Sequence, residues 1–195
     1  MKVLIVHFRS APNSGWQQEF QSTKASETDS AGTDGVSLEM VKRKAILEAM
    51  GHEVAICSAY GWADFPVPPL EFDSGEVMKI MQNLFGAGIV DFAGEAGLKR
   101  AFNISVLELK QQFTKVIEDF KPDMLFIHNV LSLPVHPAAT VALTELLGDT
   151  QLPCAAIHHD ILSEGAYKFT PTCSFAKSIL KGYFPPTMPN LRHWT

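Results

Sequence analysis

With 195 residues, 46% of them hydrophobic, the chain can bury one substantial core, so a single domain is the default. Sixteen basic against 21 acidic residues leave a net charge of −5, which offers no footprint for a phosphate backbone or an anionic surface and argues against nucleic acid as a partner. Cys57, Cys154 and Cys173 are odd in number and widely spaced, which excludes a zinc knuckle or a disulfide scaffold and fits reduced thiols in a cytoplasmic protein. The opening Met1 to Phe8 lacks the length of a signal segment, and no later run reaches the ~20 apolar residues of a membrane span. Peripheral association with a membrane stays compatible with this composition.

Val3-Leu4-Ile5-Val6 is an unbroken aliphatic run, the pattern of a strand buried on both faces of a parallel sheet. The stretch from about 9 to 35 is predicted as a mobile loop, its second half almost wholly small and polar. Leu38, Val41, Ala45 and Ala49 fall at helical spacing within Val36 to Met50, and Gly51 supplies the stop. Val54-Ala55-Ile56-Cys57 then reads as a second buried strand, and strand, helix, strand forces parallel pairing with a right-handed crossover. The fold class follows: α/β, a Rossmann-like parallel sheet flanked by helices.

Ser58 to Pro69, with Tyr60, Trp62, Phe65 and three prolines, is expected to leave the ladder as a shaped loop. Asp73-Ser74-Gly75-Glu76 resembles a capping box opening a helix through about Phe85, and Asn103 is read as the cap of another over Ile104 to Phe120. Between them Gly86, Gly88, Gly94 and Gly97 leave no assignable element. Buried strands are predicted at Met124 to Ile127 and Cys154 to Ile157, with a helix around Ala138 to Leu147 between them. Thr170-Pro171 is expected to open a last helix that Pro185-Pro186 breaks, and Leu191 to Trp194 reads as the start of a fifth strand.

Ligands of open parallel sheets gather at the carboxyl ends of the strands, where this chain carries three polar clusters. Asp34-Gly35-Val36 opens the first helix, where free N–H groups and the helix dipole favour an anion such as a diphosphate; a cap and a turn glycine explain the same residues equally well. It is not a dinucleotide fingerprint, since G-x-G-x-x-G is absent. His128-Asn129 follows the third predicted strand and His158-His159-Asp160 the fourth. Adjacent histidines on an extended strand point to opposite faces and cannot readily share one metal ion. One ring is expected to face the crevice and hydrogen-bond a sugar hydroxyl while the other packs or pairs behind the sheet. Trp16, Tyr60, Trp62 and Phe65 are candidates for stacking on a sugar ring. Hydrolase readings lack parts, there being no G-x-S-x-G elbow and no cysteine at an evident helix start.

Asp34-Gly35-Val36-Ser37 opening the first helix, Leu47 to Val54 closing it into a strand, Lys121-Pro122-Asp123 leading the strand that ends at Ile127-His128-Asn129, and the later His159-Asp160 together resemble the N-terminal domain of glycosyltransferase family 4, group 1. Where many members carry a histidine two residues before His128, this chain has Phe126. The resemblance implies one half of a GT-B architecture, acceptor-side, with retaining hexosyl transfer from a nucleotide sugar and neither a required metal nor any cofactor beyond that substrate. It implies donor phosphate or sugar contacts at Asp34, Gly35 and Val36, a catalytic position for His159, and acceptor contacts from His128, Asn129, His158 and Asp160. The acceptor would be a sugar, glycoside or lipid. The donor domain of that architecture is not found in these residues, so the chain by itself is expected to be inactive. The competing reading is a stand-alone flavodoxin-like module binding a small anion or a protein partner. A response-regulator-like switch fails because Val6-His7-Phe8-Arg9 offers no acidic cluster.

Overall fold

A computed structural model describes residues 1–10, 35–160 and 168–195. Asp34, Trp16 and most of the loop predicted over 9–35 lie outside them. Six strands form one sheet: β1 Lys2–Val6, β2 Glu53–Ser58, β3 Phe65–Pro66, β4 Met124–His128, β5 Cys154–Ile157 and β6 Leu191–Trp194, in the order β3-β2-β1-β4-β5-β6. Every neighbouring pair is parallel. The helices are α1 Gly35–Ala49, α2 Gly75–Phe85, α3 Gly94–Phe120, α4 Pro137–Thr150 and α5 Ser174–Tyr183. This is the Rossmann-like α/β class predicted from the sequence. None of these helices is long and apolar enough to cross a membrane.

The unbroken aliphatic strands are explained by cover on both faces. One face of the sheet, carrying Leu4, Val6, Ala55, Cys57, Leu125, Ile127, Cys154 and Ala156, packs into the large core with α3 and α4. There α3 contributes a single stripe, Leu98, Phe102, Val106, Leu109, Phe113, Val116 and Phe120, at steps of three and four. Removing one of its rings, as in Phe113→Ala, would cost about 3–5 kcal/mol by cavity formation. The opposite face, with Val3, Ile5, Val54, Ile56, Phe126, Ala155 and Ile157, forms a smaller cluster around Met40 of α1.

The ends of the elements explain several sequence signals. Ser74 Oγ accepts the Val77 N–H at 3.4 Å and starts α2 as read. Lys121 closes α3 in the left-handed region at φ 54°, and Asp123 then ties that turn to the first strand by accepting the Lys2 N–H at 2.7 Å and donating its own to the Lys2 carbonyl at 2.8 Å. Lys-Pro-Asp is thus a join between β1 and β4 on the side away from the strands' carboxyl ends. At Gly61, φ is 89° and a Cβ would lie 1.9 Å from the Ser10 carbonyl oxygen, so only glycine lets this turn pass under the extension of β1.

Three expectations are corrected. The stretch from Ser58 to Pro69 does return to the sheet: Phe65 and Pro66 pair with Cys57 and Ser58 as a two-residue edge strand, where a missing N–H is tolerated. The third helix starts at Gly94, so Asn103 lies inside it rather than capping it. The last helix starts at Ser174 and not at Thr170-Pro171; Cys173 caps it, its Sγ accepting the Ala176 N–H at 3.5 Å.

Candidate functional site

The chain leaves β1 toward β2 and β3 on one side and returns to β4 on the other, so the strand order reverses between β1 and β4. Helices cannot cover the carboxyl edge at such a reversal, and the crevice left there is where open α/β sheets bind ligands. Side chains alternate along strands, which sets what stands at that edge. His7 and His128 continue the α1 face after Ile5 and Phe126. Across the crevice the His7 Nδ1–H donates to the His128 carbonyl at 2.9 Å, fixing which ring nitrogen of His7 carries the proton.

His128 is fully buried, yet its side chain reaches the neighbouring strand end, with Nδ1 3.2 Å from Nε2 of the exposed His159. The ring centroids are 5.5 Å apart and the planes 19° from parallel. That separation is what the N···N contact plus two ring radii requires, so the rings meet edge to edge, nearly in one plane, and are not stacked. Burial first, then the neighbouring His7, Arg43 and His159, pushes the His128 imidazolium down to about 3, so His128 is neutral over the physiological range. Its Nε2 is buried and has no hydrogen-bond partner among the described residues.

Asn129 locks the same junction from the backbone. At φ 57° it turns the chain sharply off β4, its N–H donates to the Ile157 carbonyl at 2.9 Å, and its Oδ1 accepts the His159 N–H at 2.8 Å. Asparagine tolerates the left-handed region better than other side-chain-bearing residues and supplies the short acceptor this turn uses. Arg43 of α1 lies over the Phe126 ring at 5.7 Å and bonds Glu39 at 3.2 Å, placing a cation beneath the rim.

The structure therefore brings together His128, Asn129 and His159, and adds His7 and Arg43, which sequence reasoning missed. Strand parity could have found His7, two residues beyond Ile5 on the same face. Gly35 and Val36 open α1 at this carboxyl edge, because a helix after β1 runs back against the strands. A Cβ at Gly35 would meet nothing within 4 Å among the described residues, and the Val36 side chain packs on the α1-side cluster. Asp160 is exposed beside His159, and Asp34 lies outside the described residues.

His158 is not brought to this rim. It follows Ala156 onto the other face, where Nε2 lies 2.6 Å from Nδ1 of His193, and His193 Nε2–H donates to the Pro186 carbonyl at 2.8 Å. Burial, then the neighbouring His193 and His159, lowers the His158 imidazolium to about 4. Further along the edge, Arg9 sits over the rings of Tyr60 and Phe72 at 5.1 and 4.4 Å and pairs with Asp73 and Glu71. Burial and the adjacent Asp73 raise the Glu71 carboxyl to about 7. Tyr60 is thereby committed to the fold. Among the described residues no group of three or more histidine, cysteine or acidic side chains is arranged to hold a metal ion.

No model of a known protein family matches the chain. It is 32% identical over 162 residues to the mannosylglucosylglycerate synthase of Thermotoga maritima, covering 82% of this chain and 36% of that enzyme. To the mannosylglucosylglycerate synthase of Petrotoga mobilis it is 30% identical over 156 residues, covering 79% and 35%. The matched region thus spans about a third of the length of these curated relatives. Among solved structures it is similar, at a TM-score of 0.38 in both cases, to SsfS6, a glycosyltransferase of Streptomyces sp. SF2575 (14% identical, 81% of this chain and 39% of the other), and to the spinosyn rhamnosyltransferase SpnG complexed with thymidine diphosphate (16% identical, 99% and 45%).

Proposed function

We propose that this chain is the acceptor-side half of a GT-B glycosyltransferase of family 4 type, which moves a hexosyl group from a nucleotide sugar to an acceptor hydroxyl with retention of configuration. The observation that carries the reading is the likeness to two glycoside-forming synthases over about four-fifths of the chain, 82% and 79%. The convergence of His128, Asn129 and His159 at the β1/β4 crevice supplies a matching site.

Catalysis in this reading is mostly positioning. The bond from the sugar to the nucleotide diphosphate breaks while the acceptor oxygen bonds to the same face of the sugar, the acceptor hydroxyl's proton passes to the departing diphosphate oxygen, and hydrogen-bond donors stabilise the departing charge. The start of α1 at Gly35 and Val36, with Asp34 before it, serves the donor's phosphate or sugar. His159 faces the transferred sugar, and His128, Asn129 and Asp160 shape the acceptor side. His158, turned to the other face, supports the strand end instead. The curated relatives' name points to a glucosylglycerate-like acceptor, a glycoside bearing a carboxylate. The nucleotide is held by a second domain, so this chain alone binds ligand without turning it over.

The test is a titration of the 195-residue chain with nucleotide-activated mannose and with glucosylglycerate, followed by thermal shift and by NMR, beside His159→Ala and Gly35→Val. A response to the glycoside that His159→Ala loses, and a response to nucleotide-activated mannose that Gly35→Val weakens, with both variants still folded, support the proposal. A response to inorganic phosphate or to nucleotides alone, with none to the glycoside or to the sugar of the nucleotide-activated mannose, favours the anion-binding module. Sugar transfer by the isolated chain would overturn the division of labour.

A further inference from the structure

The edge-on contact of His128 and His159 has only two neutral proton arrangements. Either His128 Nδ1–H donates to His159 Nε2, or the reverse. In the first, the buried Nε2 of His128 is a bare lone pair; in the second it is an N–H buried without an acceptor among the described residues. Orphaned buried N–H groups are the rarer and costlier of the two. The second histidine pair shows the same preference under independent constraint. There the Pro186 carbonyl requires His193 to carry its proton on Nε2, so His158 must donate through Nε2 and is left with a bare, buried Nδ1. The fold thus already accepts a buried imidazole lone pair at the end of one of these strands.

We infer that His128 fixes the ring tautomer of His159, holding its Nε2 as an acceptor, so that His159 meets a ligand as a hydrogen-bond donor through Nδ1–H. Burial keeps His128 from charging, so it offers a single proton at neutral pH. Asn129 Oδ1 holds the His159 backbone at 2.8 Å and keeps the ring at this distance. His159 is exposed, so its Nδ1 edge is the one left for a ligand. Its partner there must be an acceptor: a sugar hydroxyl oxygen, a carboxylate or a phosphate oxygen. Within the glycosyltransferase reading, on which this last consequence rests, His159 binds and orients and does not remove the acceptor's proton. His128 is a positioning residue acting through it.

The experiment reads ring nitrogens directly in the ligand-free chain, by two- and three-bond 1H–15N correlation at about pH 8, where ordinary histidines are neutral. His159→Gln and His128→Gln assign the signals. The expected pattern is a protonated Nδ1 and a pyridine-type Nε2 for both His128 and His159. A protonated Nε2 on His159, or fully averaged nitrogens, overturns the inference. His128→Leu should shift His159 toward the averaged pattern of a free imidazole, whereas His128→Asn, which keeps a short side-chain N–H donor, should restore the Nδ1–H form. Retention of the Nδ1–H form in a folded His128→Leu would also overturn it. Because no ligand is present, these outcomes stand or fall separately from the titrations that test the glycosyltransferase reading.

Discussion

Two histidine pairs sit at the end of β5, one on each face of the sheet, with the same near-coplanar geometry, 19° between planes in both. They differ in how their hydrogen-bond chains end. The His158–His193 chain closes on the Pro186 carbonyl, so both ring protons have an acceptor within the fold. The His128–His159 chain ends on an exposed ring, with its inner member fully buried and its outer member's backbone held by Asn129. A closed chain can only hold strands together. An open one has a place for an atom that is not part of the protein.

A change of pH and five substitutions would break or sharpen that contrast. Acid should act most strongly. A histidine whose folded pKa lies below its unfolded value binds its proton more readily in the unfolded chain. Stability is therefore complete above about 6.5 and drains as the pH falls below it, to about 4 for His158 and about 3 for His128. His128 contributes the larger share of the loss and the less enclosed His158 a smaller one, together on the order of a few kcal/mol, and the buried His136, also lowered to about 4, adds to the same slope. Urea midpoints measured from neutral pH downward should fall steeply; a flat profile between pH 6.5 and 4 contradicts buried neutral rings.

Next in size, His158→Ala should cost about 2–4 kcal/mol by losing a buried ring and its hydrogen bond, with ligand response kept in the folded fraction. His159→Ala should cost about 1 kcal/mol or less and abolish that response. Equal destabilisation by both, read by urea unfolding, would erase the distinction between the pairs. Asn129→Ala should cost about 1–2 kcal/mol, part from the left-handed backbone and part from the lost Oδ1 acceptor. Asn129→Gly should recover the backbone part alone, and no difference between these two variants would show that the φ of 57° is not what the side chain sustains. Smallest is Gly35→Val, expected within about 0.5 kcal/mol of the parent because a Cβ there meets nothing within 4 Å among the described residues.

The sheet was legible because strands covered on both faces must be apolar throughout, as Val3 to Val6, Val54 to Cys57 and Cys154 to Ile157 are. The polar residues after them were legible for the same reason, since His128 and His159 interrupt runs that tolerate no charge. What was hidden depends on register. That His193 stands beside His158, and His128 beside His159, follows from pairings such as Ala156 with His193 and His128 with Ile157, which no local pattern encodes. The start of α3 was hidden because no side chain caps it: Ala93 makes no such bond, and Gly94 turns in at φ 64°. β3 was hidden because two residues paired to an edge leave no periodicity to read.

The unequal cover of the sheet has a dynamic consequence. Among the described residues α1 buries only Ser37, Met40 and Lys44, whereas α4 buries nine side chains and α3 seven. Local opening follows buried contact, so amide hydrogen exchange should release α1 by a subglobal route while α3, α4 and the central strands wait for global unfolding. The helix whose first turn borders the crevice is thus one the fold can reposition more readily than α3 or α4, leaving the floor that carries His128 in place.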